Sequence, residues 1–368
     1  VLRQRLERVP EPARPLLRLA AALGTRLDLR VLQVLVPAPE PGLLALLMAA
    51  AAVAVLEVED GSWRFAHDRL RERLLADLTA EARQELHRQL AGALEQVYGS
   101  EPGHAAQLAY HFAQAADPAR CAHYAALAGA EALQAGALTE AVALLTKARE
   151  LHARLDPPPL ERARVLRLLA SALWGLGRIG DSLPLMESAL ALLGAPLPPT
   201  GLRLGAALLG QSARQLWHRL RPAGALSALP SGERRQLLHE LLQVILGSGE
   251  MYAWTGEQEK VLLGTLLSVN LAEELDDAPA LVMLYAVMGF LGAVFGLPAL
   301  CERYLAMAEA RLGGLRDAKA ELELHRITAA LHLMTGEWGP ARLRYDKAMV
   351  LARTLGNSPL YLFCLLQR

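Results

Sequence analysis

Two stretches, GAEALQAGALTEAVALLTKA at residues 129–148 and AALHLMTGEWGPARLRYDKA at 329–348, carry the reading of the whole chain. Aligned on Gly136 and Gly336, each has a small residue seven positions before the glycine and others five and twelve after it, and each closes on Lys-Ala. The same frame fits Gly177, Gly256 and Gly296, so the glycines lie 41, 79, 40 and 40 residues apart: one period of about 40 with a single slot skipped. Gly129, Ala170, Gly249, Gly289 and Ala329 precede the glycines. Ala141, Ser182, Val261, Cys301 and Ala341 follow by five, and Ala148, Ala189, Ser268, Ala308 and Ala348 by twelve. Fifteen positions hold only Gly, Ala, Ser, Cys or Val in a leucine-rich chain, which marks a structural repeat.

Two antiparallel helices approach closely only where side chains are small, and the tight turn between them favours glycine. The positions before and shortly after the turn then face each other, and the later one meets the next unit. A lone pair cannot bury its apolar faces, so the units are expected to stack into a superhelix. The predicted units are about 121–155, 162–194, 238–274, 278–313 and 318–355. The skipped slot, 195–237, opens with GAPLPPTG, continues as a helical pattern over Leu202 to Leu220 and reaches a loop at 221–232. It predicts an inserted helix packed on the array.

Residues 1–78 leave this frame. Pro15 to Leu23, Asp28 to Val36 and Pro41 to Ala54 read as three helices, separated by Gly24 and by Pro37, Pro39 and Pro41. In VLEVEDGSWRFA at 55–66, Asp60-Gly61 is a two-residue hairpin signal between alternating runs. Pairing across it sets Leu56 opposite Phe65, Glu57 opposite Arg64 and Val58 opposite Trp63, one face apolar and the other an ion pair. Three helices and a hairpin predict a winged-helix domain. Helical patterns resume at His67 to Leu78 and at Ala80 to Val97, with Thr79 placed to cap the second. Residues 79–120 are read as a helical connector and 121–368 as the repeat array, irregular at about 195–237.

The 368 residues are 53% hydrophobic and 21% charged, as in a folded protein, and the 38 basic and 38 acidic residues cancel. No excess positive charge is available to neutralise phosphates, so bulk electrostatics gives nucleic-acid binding no support. The candidate reading helix, PGLLALLMAAAAVA at 41–54, has no basic or amide side chain for phosphates or base edges. Cys121, Cys301 and Cys364 lack metal-ligand spacing, and a reducing cytoplasm is the expected setting. Ala278 to Cys301 carries no charge over 24 residues, long enough to span a bilayer. It holds Gly289, Gly292, Gly296, Pro279 and Pro298 on the repeat grid, with acidic residues on one flank, so buried repeat helices are expected there and not a membrane span. The chain begins at Val1 without Met and ends at Arg368 with no helix-ending signal nearby, so it is expected to be a fragment of a larger protein.

The glycine with small residues at these offsets resembles the tetratricopeptide repeat (TPR) in its longer form, over about 235 residues. Upstream, PLLRLAAALGTRLDLRVLQ at 15–33, RFAHDRLRERLL at 64–75, RQELHRQLAGALE at 83–95 and QLAYHFAQAAD at 107–117 follow in order. Together they resemble the effector-side portion of bacterial signal-transduction ATPases of the STAND type, including MalT-like regulators. That resemblance implies a mainly α fold: a small winged helix followed by a TPR-like α-α superhelix. It also implies an upstream nucleotide-binding domain, a nucleotide switch using ATP or ADP in the full-length protein, and a role in signal transduction and transcription regulation. The ATPase chemistry does not carry over. GxxxxGK[ST] is absent and no Lys occurs in the first 146 residues, so no cofactor is expected within the chain.

Two candidate sites follow. His67-Asp68 resembles the methionine-histidine-aspartate motif of related nucleotide-switch proteins, with Ala66 in place of the methionine, and the resemblance implies that the histidine reaches an ADP phosphate. The alternative is that Asp68 caps the helix and His67 packs beneath the hairpin. Along the first helix of each pair, positions thirteen, ten, six and three before the glycine form one stripe. It carries His123, Arg164, Arg167, Ser171, Trp174, Gln243, Glu250, Met283, Phe290, Glu323 and Arg326. This is either the lining of a groove for a protein, peptide or small-molecule effector, or a plain solvated face. The histidines are scattered, and none of Cys-x-x-Cys, His-Glu-x-x-His or Gly-x-Ser-x-Gly occurs, so neither catalytic nor metal-binding residues are expected. The expected role is sensing and coupling, the rival a TPR interaction scaffold without a nucleotide switch.

Overall fold

The computed structural model describes residues 2–36, 40–99, 101–220 and 230–368, which form nineteen α-helices and one antiparallel pair of strands. The expected break at Pro37 and Pro39, and positions 221–229 of the expected loop, lie outside the described residues. Two compact units form, one from residues 1–158 with 171–178 and one from 159–170 with 179–368.

The first unit opens with α1 (Leu2–Glu7), α2 (Ala13–Leu23), α3 (Leu29–Leu35) and α4 (Glu40–Ala52). Asp28 starts α3: its Oδ1 accepts from the N–H groups of Arg30 (3.0 Å) and Val31 (3.3 Å), two donors the helix itself leaves unsatisfied. Strands β1 (Leu56–Glu59) and β2 (Ser62–Phe65) pair in the register that the alternation requires, Leu56 with Phe65, Glu57 with Arg64 and Val58 with Trp63. The turn works because Asp60 and Gly61 both take positive φ, 50° and 74°, which matches the twist of the strands. The apolar face is buried only where the hairpin meets the helices: Leu56 and Phe65 are within the core, whereas Val58 is 57% exposed. Residues 25–27 run along the other edge of β2, with Leu27 N–H donating to the Trp63 carbonyl (2.8 Å) and Phe65 N–H to that of Thr25 (3.2 Å).

Helices α5 (Asp68–Ala76) and α6 (Ala80–Tyr98) close this core, which gathers Leu16, Leu17, Leu47, Val55, Leu70 and Leu90. Thr79 caps α6 by accepting from Ala82 N–H at 3.2 Å. The hydroxyl of Tyr98, at the far end of α6, donates to the free oxygen of Asp28 at 2.6 Å, so one carboxylate serves both the cap and the packing of α3 on α6. Then come α7 (Ala105–Gln114), α8 (Pro118–Gln134) and α9 (Leu138–Leu155), with α7 lying against α8. The next helix, α10 (Pro159–Gly175), contributes residues to both units.

The second unit continues with α11 (Ile179–Leu192), α12 (Leu202–Leu220), α13 (Gly232–Thr255), α14 (Gln258–Leu275) and α15 (Ala278–Val294). It ends with α16 (Pro298–Gly313), α17 (Ala318–Met334), α18 (Trp338–Thr354) and α19 (Ser358–Gln367). Each of the five repeat glycines stands at a helix-to-helix turn, with φ of 76°, 75°, 81°, 69° and 79°, where an L side chain costs roughly 1–2 kcal/mol. In each turn the N–H after the glycine bonds back to the carbonyl five residues earlier, as in Ala137 to Ala132 (2.9 Å) and Leu297 to Gly292 (2.7 Å). This is the Schellman closure, which satisfies the orphan carbonyls of the first helix. The small positions carry the close approach. A Cβ on Gly129 would fall 2.5 Å from Leu145 Cγ, and one on Gly289 would fall 3.0 Å from Leu305 Cγ.

The skipped slot leaves no break between the helices that flank it. Met186 of α11 reaches within 2.9 Å of where a Gly247 Cβ would stand on α13, and Tyr252 OH donates to Glu187 at 3.0 Å. The inserted helix α12 lies instead on α14 and α16. The uncharged run from Ala278 is α15 and its turn, and no helix among the described residues is long and apolar enough to cross a membrane.

Candidate functional site

The second unit contains a cleft of about 610 Å³, within the range of ligand sites. Its apolar lining comes from Ile245 and Leu246 of α13, Met283 and Val287 of α15, and Leu360 and Phe363 of α19. Four residues of the predicted stripe meet here: Glu250, Met283, Glu323 and Arg326. Arg326 closes onto Glu323 Oε2 through Nε (2.8 Å) and Nη2 (2.6 Å), both partly buried, while Glu250 stays exposed. The lining therefore carries two carboxylates and one guanidinium, and it favours a ligand with an apolar body and a positive group.

Gly249 is why the cleft exists at this repeat. At the two other glycines of this repeat position, Gly129 and Gly289, a Cβ would fall 2.5 Å from Leu145 and 3.0 Å from Leu305, but one on Gly249 would meet nothing within 4 Å. Together with Gly264, Thr265 and Ser268 on α14, it leaves space where the other pairs close up. Thus the repeat frame places small residues here, and the packing turns them into a wall of the cleft.

The rest of the stripe is used differently. Arg164 and Arg167 converge on Glu240, which is 3% exposed; Arg167 makes a two-pronged contact at 2.6 and 3.3 Å, and Arg164 Nε lies 3.5 Å away. These arginines neutralise a buried carboxylate. Gln243 and Phe290 are half-buried and do not line the cleft, and His123, Ser171 and Trp174 belong to the first unit. His67 is the N-cap residue of α5 and makes no capping hydrogen bond; both it and Asp68 are exposed. Asp68 reaches Arg71 at 3.8 Å, so the capping-and-burial reading of this pair does not describe the packing. Among the described residues no group of three or more His, Cys, Asp or Glu side chains is placed to hold a metal.

Behind α14 lies a second feature that the linear pattern does not reveal. Glu273, 5% exposed, receives Tyr285 OH at Oε1 (2.9 Å), Gln215 Nε2 at Oε2 (3.1 Å) and His218 Nδ1 at 2.5 Å, and it forms an ion pair with Arg219. Gln215 also donates to Asn270 (2.8 Å) and accepts from Tyr304 OH (2.7 Å), while Asn270 donates to Gln211 Oε1 (2.8 Å). The Arg219 guanidinium lies 5.6 Å from the ring centres of both Tyr285 and Tyr304. Burial pushes both phenols above their ordinary pKa, so they remain hydroxyl donors at neutral pH. On α14 the cleft takes Val261, Gly264, Thr265 and Ser268, and α12 takes Asn270, Glu273 and Glu274.

No protein-family model matches the chain, and no curated protein matches it in sequence. Among solved structures it is similar to a signal transduction ATPase with numerous domains (STAND) protein with a tetratricopeptide repeat sensor from Pyrococcus horikoshii. The TM-score is 0.52 at 11% identity, over 98% of this chain and 53% of that one, so the chain spans about half the length of that protein. It is also similar to a Rap protein complexed with competence and sporulation factor, with a TM-score of 0.43 at 15% identity over 84% of this chain and 71% of that one. The first likeness shows the fold, mainly α with tetratricopeptide-like helix pairs.

Proposed function

We propose that the second unit is the sensor of a signalling protein, and that the cleft binds an extended peptide or small effector with an apolar body and a positive group. The observation that carries this reading is the cleft itself: open, apolar-walled and rimmed by Glu250 and the Glu323–Arg326 pair. The test uses Gly249→Leu. A Leu side chain there would enter the cleft without a backbone clash, and replacing a helical glycine stabilises the helix by about 0.5–1 kcal/mol, so lost binding would not reflect unfolding. Peptides enriched on the parent chain from a random display library should bind Gly249→Leu at least tenfold more weakly, measured by calorimetry. Equal affinity would place the effector elsewhere. Arg164→Glu with Arg167→Glu is a poor probe, because it strands Glu240 in the interior.

In this reading the first 78 residues act as a winged helix that couples the sensor to a nucleotide switch in the full-length protein, of the kind the STAND resemblance implies. Exposed His67 at the start of α5 is the residue that would reach a phosphate. In the full-length protein, His67→Ala should lower the fraction of molecules purified with ADP. Unchanged ADP content would remove the switch and favour a TPR scaffold that only docks partners.

A further inference from the structure

Helix α12 is inside out. Its polar residues Gln211, Arg214, Gln215, His218 and Arg219 turn onto α14, α15 and α16, while only Leu204 of its leucines is buried and four face solvent: Leu202 is 95% exposed, Leu209 74%, Leu216 60% and Leu220 72%. A helix that merely covered the array would do the reverse. Nor is α12 free to roll its leucines inward, because Glu273 and Glu274 hold Arg219 and Arg214 by ion pairs.

Leu202, Leu209 and Leu216 stand seven residues apart, each four positions before Ala206, Ala213 and Leu220. A strict seven-residue stripe stays straight only against another helix, because 3.6 residues per turn would otherwise carry it around the surface. Gly205 and Ser212 lie beside it and leave holes for opposing leucines. The stripe is also self-complementary: an antiparallel copy centred on Leu209 places Leu202 opposite Leu216 and each leucine against small residues. Four leucines this exposed present apolar surface on the order of several hundred Å², a patch size that marks an interaction site. It approaches the roughly 800 Å² that each partner gives to a standard interface. A lipid surface fits less well. Peripheral helices flank their apolar face with free cations, whereas here two of the three arginines of α12, Arg214 and Arg219, are committed to carboxylates on the opposite side.

We propose that two copies of this chain associate through α12, the Leu202–Leu209–Leu216 stripe of one packing antiparallel against the same stripe of the other about a twofold axis.

Sedimentation equilibrium of the 368-residue chain should give a dimer at tens of micromolar, and Leu209→Glu with Leu216→Glu should give a monomer of unchanged helicity. Register is read by cysteine. Leu209→Cys should oxidise to a covalent dimer, whereas Leu202→Cys alone should not; the parent, with Cys121 and Cys364 buried, is the control. A monomeric parent, an unchanged mass for the double glutamate variant, or a monomer that co-sediments with phosphatidylserine vesicles would each overturn the proposal.

Discussion

Replacing Glu273 by Ala should destabilise the second unit by about 3–5 kcal/mol in denaturant unfolding, the cost of removing one partner from a buried ion pair. The magnitude follows from what the carboxylate neutralises. Arg219 is 14% exposed, so it does not recover full hydration when Glu273 is removed, and the Tyr285 hydroxyl, the Gln215 amide and the buried His218 ring lose their contact with the carboxylate as well. The first segment to respond should be α12, because its polar face is held by this cluster; amide exchange over 202–220 should rise before that of α14. Glu273→Leu combined with Arg219→Met separates charge from packing. If the single variant suffers from an uncompensated charge, the double variant should recover most of the loss, because a buried pair exchanged for apolar groups is often neutral. A loss below about 1 kcal/mol in Glu273→Ala would mean that the cluster does not anchor the helix.

The helix pairs were legible because their spacing is a local constraint. The glycine must take positive φ, and the residues at fixed offsets must be small whatever lies around them, so Gly136 and Gly336 announce the same turn 200 residues apart. The hairpin was legible for the same reason: Asp60-Gly61 fixes register without help from elsewhere. What stayed hidden depends on which face of a helix turns inward. Periodicity puts Leu202, Leu209 and Leu216 on one face of α12, but the usual assignment buries such a stripe, and Gln215, His218 and Arg219 then read as a solvated face. Their partner Glu273 sits in an acidic run with Glu274, Asp276 and Asp277, which in the sequence looks like a hydrated helix end. The cleft was half visible. The stripe rule found Glu250, Met283, Glu323 and Arg326 but missed the α14 wall, because Gly264, Thr265 and Ser268 look like packing positions. It also offered Arg164 and Arg167 as groove cations, since nothing local says that Glu240 lies beneath them.

Acidification should weaken the first unit selectively, through a pair of histidines 24 positions apart that the packing of α6 on α7 brings into contact. His87 and His111 are 6% and 1% exposed, and their Nδ1 atoms lie 3.0 Å apart. At that distance one nitrogen donates and the other accepts, so the accepting ring is neutral with its proton on Nε2 and the donor carries a proton on Nδ1. Burial, and then the other ring, hold the His111 pKa down at about 4 against an ordinary 6.5, and burial, followed by Arg83, also lowers that of His87. Arg83 on α6 and Tyr110 on α7 are the polar neighbours; the Tyr110 ring stands edge-on at 5.8 and 5.3 Å and brings no negative charge. The sign follows from proton counting. Between pH 6.5 and 4 the unfolded chain binds a proton at His111 that the folded chain refuses, so stability complete above pH 6.5 drains away as pH falls toward 4. A shift of this size corresponds to about 3 kcal/mol. Unfolding of the parent should therefore lose about 2–3 kcal/mol more between pH 7 and 4.5 than that of His87→Phe with His111→Phe, in which the contact is apolar and no proton is exchanged. Parallel pH profiles for the two proteins would show that the histidine pair does not set the acid response.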